Sequence, residues 1–421
     1  MPPPVLPRDV YRAFNQAGNP LSGAYTPPKN DIIALLEYIL DGLVAAGGDP
    51  GAIQSLRDQI SFRPNPSIIN LDRRTMFAAR VGRAAAAAGI RRSRWIVVDD
   101  STSRGVGDSG IGPWIYYVGR MMGAAGYPVT CNGWLGNGGN VSATFDPRIV
   151  FGNGWSGTNT PTVGGYLIVG FAGGTGAFTY TPLERVNTFE IIFTANASTG
   201  SVLVQIDDEP PVTVNTARSG GDQVFTQAFN TATLGYHTIR LYGVSGSAVY
   251  FVGMNAYDRN VKAIDVFSSG SSGSKASDWI VNQSPWSPLQ LISQLDADQI
   301  IVGLGINDAG AIDNGQLTAA TYQSQITTIT QAAGANASVL LKTAIPSNPS
   351  AVSVQSMTAV AAAQYNVAKS LGVPLIDIQY MMGGPNGFGL NSQFGIMFDA
   401  LHGNGACYWD VARNVYAAVG L

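Results

Sequence analysis

Two hydrophobic patterns divide this chain of 421 residues. Between residues 166 and 258, short runs rich in β-branched and aromatic side chains alternate with polar positions and are punctuated by Gly, Asn, Asp, Ser or Pro. That is the pattern of half-buried strands joined by tight turns. Eight strands are expected, at 166–172, 177–182, 187–195, 201–207, 212–217, 224–230, 236–243 and 248–258. No helical periodicity interrupts them, so they predict an all-β jelly-roll sandwich. On either side, strands at 94–99, 299–304, 337–345 and 373–378 alternate with helices at 114–125, 318–333, 354–371 and 408–419. Buried strands alternating with helices predict a parallel sheet in a three-layer α/β/α core. The expected fold class is therefore α/β, interrupted by an inserted sandwich.

The first ninety residues follow another pattern. Pro27-Pro28-Lys29-Asn30-Asp31 starts a helix whose Ile32, Leu35, Leu36, Ile39, Leu40 and Leu43 make an apolar stripe over 32–46. Such a stripe needs cover, from its own core or from copies of itself, which leaves a homo-oligomer through this helix open. The expected organisation is an N-terminal helical segment (1–90), a first segment of the α/β core (91–145), the inserted sandwich (146–258) and a second core segment (259–421).

Candidate chemistry begins with histidine, of which the chain has two. His237 lies within an alternating strand and reads as structural. His402 follows Asp399 by three positions, a base with its own orienting acid. The apolar run at 94–99 leads into Asp100-Ser101-Thr102-Ser103-Arg104-Gly105, which exposes a serine where a strand turns into a helix. The run at 299–304 leads into Gly305-Ile306-Asn307-Asp308, and a side-chain amide there is a donor for a developing oxyanion.

These blocks, in this order, resemble the SGNH (GDSL) family of serine esterases and lipases. The resemblance implies Ser101 as nucleophile, Asp399 as acid and His402 as base. It implies an oxyanion hole from the Ser101 amide, a glycine amide and the Asn307 side chain, with neither cofactor nor metal. Gly273, after the apolar Val266-Phe267, is the chosen glycine; Gly136 and Gly139 are the alternatives. The family's Gly-Asp-Ser reads Asp99-Asp100-Ser101 here. A literal Gly107-Asp108-Ser109 follows no strand, so Ser101 is preferred. Residues 12–29 also resemble N-terminal segments of phage tail and tail-fibre proteins that carry hydrolase domains.

Composition narrows the partners. Charged residues make up 12%, against roughly 25% in ordinary soluble domains, and the net charge is −3. With no basic run, a nucleic-acid partner is not expected, nor is capture by an anionic membrane. No apolar run approaches the length of a membrane span, and the first residues lack the apolar core of a secretion signal. An extracellular or virion-associated location is expected, with a cytoplasmic one left open. Cys131 and Cys407 are compatible with a disulfide or with two free thiols. A metal hydrolase is disfavoured, because no second histidine lies near His402 and no cysteine pair has zinc spacing.

The preferred substrate is an acetylated glycan, cleaved by an O-acetyl esterase. The alternatives are a generic short-chain carboxylesterase or lipase acting on small esters, and a non-catalytic glycan-binding tail protein or adhesin. Trp155, Tyr166, Tyr180, Tyr236 and Tyr250 are candidate sugar-stacking surfaces within the sandwich. Because the site blocks lie outside 146–258, excising that segment is expected to spare small-ester hydrolysis.

Overall fold

A computed structural model describes residues 68–72, 74–108, 112–140 and 146–419. The stripe at 32–46, the tail-like segment before it and Ser109 lie outside them. The described residues begin with β1 (Ile68–Ile69), α1 (Phe77–Ala87), β2 (Ser93–Val98), α2 (Ser101–Arg104), α3 (Trp114–Ala124) and β3 (Val129–Leu135). Ten strands follow: β4 (Ile149–Phe151), β5 (Trp155–Thr162), β6 (Gly165–Gly170), β7 (Phe178–Tyr180), β8 (Val186–Ala195), β9 (Ser201–Ile206), β10 (Val212–Asn215), β11 (Gln223–Gly235), β12 (Ile239–Ser245) and β13 (Val249–Tyr257). Then come β14 (Ile264–Ser268), α4 (Ala276–Trp279), α5 (Pro288–Ile292), β15 (Gln299–Val302), α6 (Ile306–Asp313), α7 (Ala319–Ala333) and β16 (Ser338–Lys342). The last elements are α8 (Val354–Leu371), β17 (Leu375–Ile376), α9 (Ile378–Met381), α10 (Phe388–Gln393) and α11 (Gly405–Val419).

A parallel sheet in the order β17-β16-β15-β2-β14-β3 forms the core. β2 lies inside it, and its alternate side chains face opposite layers. Trp95 and Val97 pack with α1, α3 and α11, whereas Ile96 and Val98 pack with residues of α4 to α8. Burial on both faces explains why these strands read as continuous apolar runs rather than alternating ones.

The ten strands form two antiparallel sheets. One contains β5, β6, β13, β8 and β11, and the other runs β10-β9-β12-β7-β4. An aromatic cluster fills the space between them, with Phe178 and Phe251 edge to face at 5.0 Å. Trp155 and Tyr180 belong to this buried cluster, so they are core rather than stacking surfaces. Tyr236 is exposed, and Tyr166 and Tyr250 are half-buried.

All eight strands expected between 166 and 258 are present, but β4 and β5 were not foreseen. The polar β5 contains Pro161 and lies at the edge of its sheet, where a missing N–H breaks no ladder.

One pairing ties residues 146–258 to the core. β13 bonds antiparallel to β3, with Gly253 opposite Leu135 and Met254 opposite Trp134, so the inner sheet of the insert continues the core sheet. Position 253 must be glycine, since a Cβ there would come within 2.3 Å of the Trp134 carbonyl oxygen. Trp134 belongs to β3 yet packs among the aromatic residues between the inserted sheets. Truncating it to alanine is expected to cost about 3–5 kcal/mol. Excising 146–258 is expected to abolish cooperative thermal unfolding, measured by near-UV circular dichroism. A soluble excision product that melts cooperatively and hydrolyses small esters at the parental rate would refute this account.

Candidate active site

β2 stops at Val98, and the next residues turn the chain into α2. The Asp100 carboxylate caps that helix, accepting from the Thr102 amide at 2.9 Å and the Thr102 hydroxyl at 2.8 Å. Gly105 ends it in the left-handed conformation, at φ 84°. Ser101 is thereby fixed as the first residue of a short helix that follows a strand buried from Trp95 to Val98.

The partner of Ser101 comes from 301 residues downstream: His402 Nε2 lies 2.8 Å from Ser101 Oγ. His402 Nδ1 lies 2.8 and 3.0 Å from the two Asp399 oxygens. Asp399 also accepts from the Leu401 and His402 amides at 2.8 and 2.7 Å, which folds the Asp-x-x-His segment into a tight turn. With the Nδ1 proton facing Asp399, Nε2 is the acceptor for the serine hydroxyl. Partial burial raises the Asp399 pKa, but hydrogen bonds from the His402 side chain and the two amides outweigh it and hold the carboxyl below its ordinary range. The three residues read from sequence thus form one hydrogen-bonded chain.

The amides expected to serve an oxyanion differ in whether they are already bonded. Among the described residues, neither the Ser101 amide nor the Gly273 amide meets a protein acceptor. Asn307 Nδ2 donates to the Ser274 carbonyl at 3.0 Å, which leaves its second N–H uncommitted and sets it one residue from Gly273. The alternative glycines differ. Gly136 N–H donates to Val252 O at 2.7 Å and Gly139 N–H to Asn137 Oδ1 at 3.0 Å. In the literal Gly107-Asp108-Ser109 block, Asp108 accepts from the Tyr117 hydroxyl at 2.6 Å.

Two supports escaped the sequence reading. Asp99, which stands where the resembling family has glycine, is fully buried and lies 3.2 Å from Lys342 Nζ, itself 1% exposed. Asp99 also accepts from the Asp100 amide at 2.9 Å and from the Ser103 hydroxyl, and Ser103 accepts from Trp114 Nε1. Its backbone carbonyl accepts from Ser271 N–H at 3.1 Å, so one residue ties the serine turn to the Gly273 loop. The available signal was a lysine ending the apolar Ser338-Val339-Leu340-Leu341-Lys342 run and an aspartate ending another, each requiring a buried partner.

The second support is Asp308, also buried, which accepts from the Ala276 amide at 2.9 Å and so braces the far end of the Gly273 loop. Burial is the main cause of its pKa rising to about 7, and Asp278 adds to it. Asp100 likewise rises to about 7 through burial and the Asp99 charge, opposed by Lys342 and Thr102.

The other candidates are structural. His237 is held between Asp207, at 2.6 Å from Nδ1, and Thr233 O, at 3.1 Å from Nε2, beside the second antiparallel sheet. Cys131 and Cys407 are free thiols whose pKa values burial raises to about 12. Among the described residues, no group of three or more His, Cys, Asp or Glu side chains is placed to hold a metal ion, and no helix is long and apolar enough to cross a membrane.

No protein-family model and no curated protein matches this sequence. Solved structures do match. A peptidoglycan O-acetylesterase is similar over 82% of this chain and 95% of its own, with a TM-score of 0.63 at 17% identity. The chain has the fold of that esterase. Weaker similarities include a family 2 carbohydrate esterase with a carbohydrate-binding domain from Myceliophthora fergusii, with TM-score 0.29, 12% identity, and coverage of 65% of this chain and 97% of that one. An acetylxylan esterase from Geobacillus stearothermophilus has TM-score 0.31, 16% identity, and coverage of 38% and 74% respectively.

Two stability measurements test the supports. Asp99→Asn and Lys342→Met each leave one buried group of the pair without its partner, and each should cost about 3–5 kcal/mol in chemical denaturation. The double variant should lose less than the sum; strict additivity would mean that the pair does not interact. For Asp308, a folded pKa near 7 against 3.8 unfolded means stability is full below pH 3.8 and falls as pH rises toward 7. Asp308→Asn should therefore melt at a higher temperature than the parent at pH 8, and near the parental temperature at pH 4. An equal shift at both pH values would rule out the linkage.

Proposed function

We propose that this protein is a serine ester hydrolase that removes O-acetyl groups from carbohydrate. The observation that carries this reading is the unbroken path from Asp399 through both His402 nitrogens to the Ser101 hydroxyl, at 2.8 Å on each side of the imidazole. In the first step His402 Nε2 takes the hydroxyl proton as Ser101 Oγ bonds to the ester carbonyl carbon. The negative charge that forms on the carbonyl oxygen is met by the Ser101 amide, the Gly273 amide and the free Asn307 N–H. The carbon–oxygen bond to the sugar then breaks, and the alcohol leaves with the proton from His402. Water, deprotonated by the same imidazole, attacks the acyl-serine, releases acetate and returns the proton to Ser101.

The carbohydrate specificity is supported by the two antiparallel sheets joined to the core beside the Gly273 loop, and by the kind of esterase that shares the fold. On this reading residues 146–258 present a polymer to the serine. The Asp99-for-glycine departure does not argue for a decayed site, because Asp99 is paired and braces both halves of it.

Hydrolysis of p-nitrophenyl acetate and labelling by a fluorophosphonate test the reaction. Ser101→Ala should abolish both, and His402→Ala should reduce turnover to near background, whereas Ser109→Ala should still label. Asn307→Ala should lower kcat by about a hundred- to a thousandfold with little change in KM, the loss for one oxyanion donor. Labelling that survives Ser101→Ala and disappears in Ser109→Ala would transfer the nucleophile to the later block. Glycan binding by a wild-type protein inert toward every acetyl ester would make it a binding protein instead.

A further inference from the structure

A cavity of about 270 Å³ opens where the inserted strands meet the Gly273 loop. One wall is the loop itself, from Ser271 through Ser274, continuing to Asp278; the other is the β5–β6 hairpin, with Asn159 and Tyr166. Backbone bonds hold the two walls in place. Gly138 N–H donates to Gly164 O at 3.0 Å, Asn137 N–H to Tyr166 O at 3.2 Å, and Ser272 N–H to Gly138 O at 2.9 Å. Gly165, at φ 113°, permits the approach, since a Cβ there would lie 2.6 Å from Gly139 N and 3.1 Å from Ser271 Oγ. The cavity is therefore formed before any ligand arrives.

Its lining has unspent polar capacity. Ser272 Oγ is buried without a hydrogen-bond partner. One Asp278 oxygen accepts from the Lys275 amide at 2.8 Å and the other is open. The Gly273 amide, assigned above to the oxyanion, lies at the same wall. Tyr166 is half-buried and lines the cavity, which puts an aromatic side chain in its wall. An aromatic face beside a carboxylate, an amide and a hydroxyl suits a ring with an apolar C–H face and a rim of hydroxyls. The volume is just below the roughly 300–1,000 Å³ of pockets for drug-sized ligands, so it admits one ring rather than a chain. The Asp278 carboxylate opposes an acidic sugar.

We propose that this cavity is a subsite for one neutral pyranose ring of the ester-bearing glycan, with the ring against Tyr166 and its hydroxyls on Asp278, Ser272 and Asn159. This rests on the esterase reading, and it makes the insert a contributor to the reaction site rather than a remote anchor. Specificity for neutral sugars then resides at the junction of the two sheets.

The test is calorimetric titration of full-length Ser101→Ala protein with neutral xylo- and chito-oligosaccharides and with an oligogalacturonate. The neutral oligomers should bind and the acidic one should bind at least about tenfold more weakly. Adding Tyr166→Ala should weaken neutral binding by about tenfold or more, and Tyr166→Phe should restore most of it. Asp278→Asn, at an exposed position, should narrow the gap between neutral and acidic sugars, and it serves as the probe if Tyr166→Ala does not fold. Absence of neutral binding, or unchanged affinity in a folded Tyr166→Ala protein with no narrowing in Asp278→Asn, overturns the subsite. Wild-type turnover of p-nitrophenyl acetate separates the two ideas. Turnover without sugar binding keeps the esterase and loses the subsite, whereas sugar binding at Tyr166 without turnover keeps the subsite and loses the esterase.

Discussion

Opposite charges at the ends of β2 and β16, Asp99 and Lys342, meet 3.2 Å apart with almost no access to water. Removing two charges from solvent is costly, and their mutual attraction offsets the cost only when the remaining lone pairs are also satisfied. Here they are, by the Asp100 amide and the Ser103 hydroxyl. The geometry of the serine turn is therefore tied to the register of strands on both sides of β15. Gly303, at the end of β15, gives way to the pair, since a Cβ would lie 2.4 Å from the Asp99 carboxylate and 2.6 Å from the Lys342 side chain. Ser101 and Asn307 follow the carboxyl ends of the parallel strands β2 and β15, where loops from different strands converge. The buried pair fixes two of those ends relative to each other.

The features of this arrangement legible in the sequence were those with a local signature. Continuous apolar runs marked β2, β15 and β16, and a period of two marked eight strands of the insert. Asp399 and His402 were legible because they stand three positions apart and histidine is scarce. Ser101 was legible only in relation to those blocks, through their order and their positions at strand ends. β5 carried no local signature, because an edge strand with one solvent-facing side tolerates polar residues and proline. The Asp99–Lys342 pair was hidden for a different reason. Each residue looks like an exception to burial on its own, and only the strand order, which brings β16 within one strand of β2, supplies its partner.

The pairing between core and insert was not legible in the sequence, since turn residues mark where a segment begins and ends but not whose edge it extends. β3 would otherwise be the edge of the parallel sheet, with unpaired backbone groups. Pairing with β13 closes that edge and commits the aromatic Trp134 to the neighbouring core. The edge is protected by the insertion itself.

That continuity has a consequence for how the chain assembles. β2 is made early, but its neighbours β14 and β15 follow the whole insert, and contacts such as Ser269 on Val97 span 172 residues. Until then an apolar strand flanked by two missing neighbours must be kept from other chains. Long-range pairing of this kind slows folding and prolongs exposure to aggregation. The ten inserted strands are complete before β14 emerges, so a sandwich that folds first would draw β3 against β13 and set the edge on which the parallel sheet then grows. On that order, destabilising the sandwich would lower the yield of folded protein before it disturbed the turn that carries Ser101.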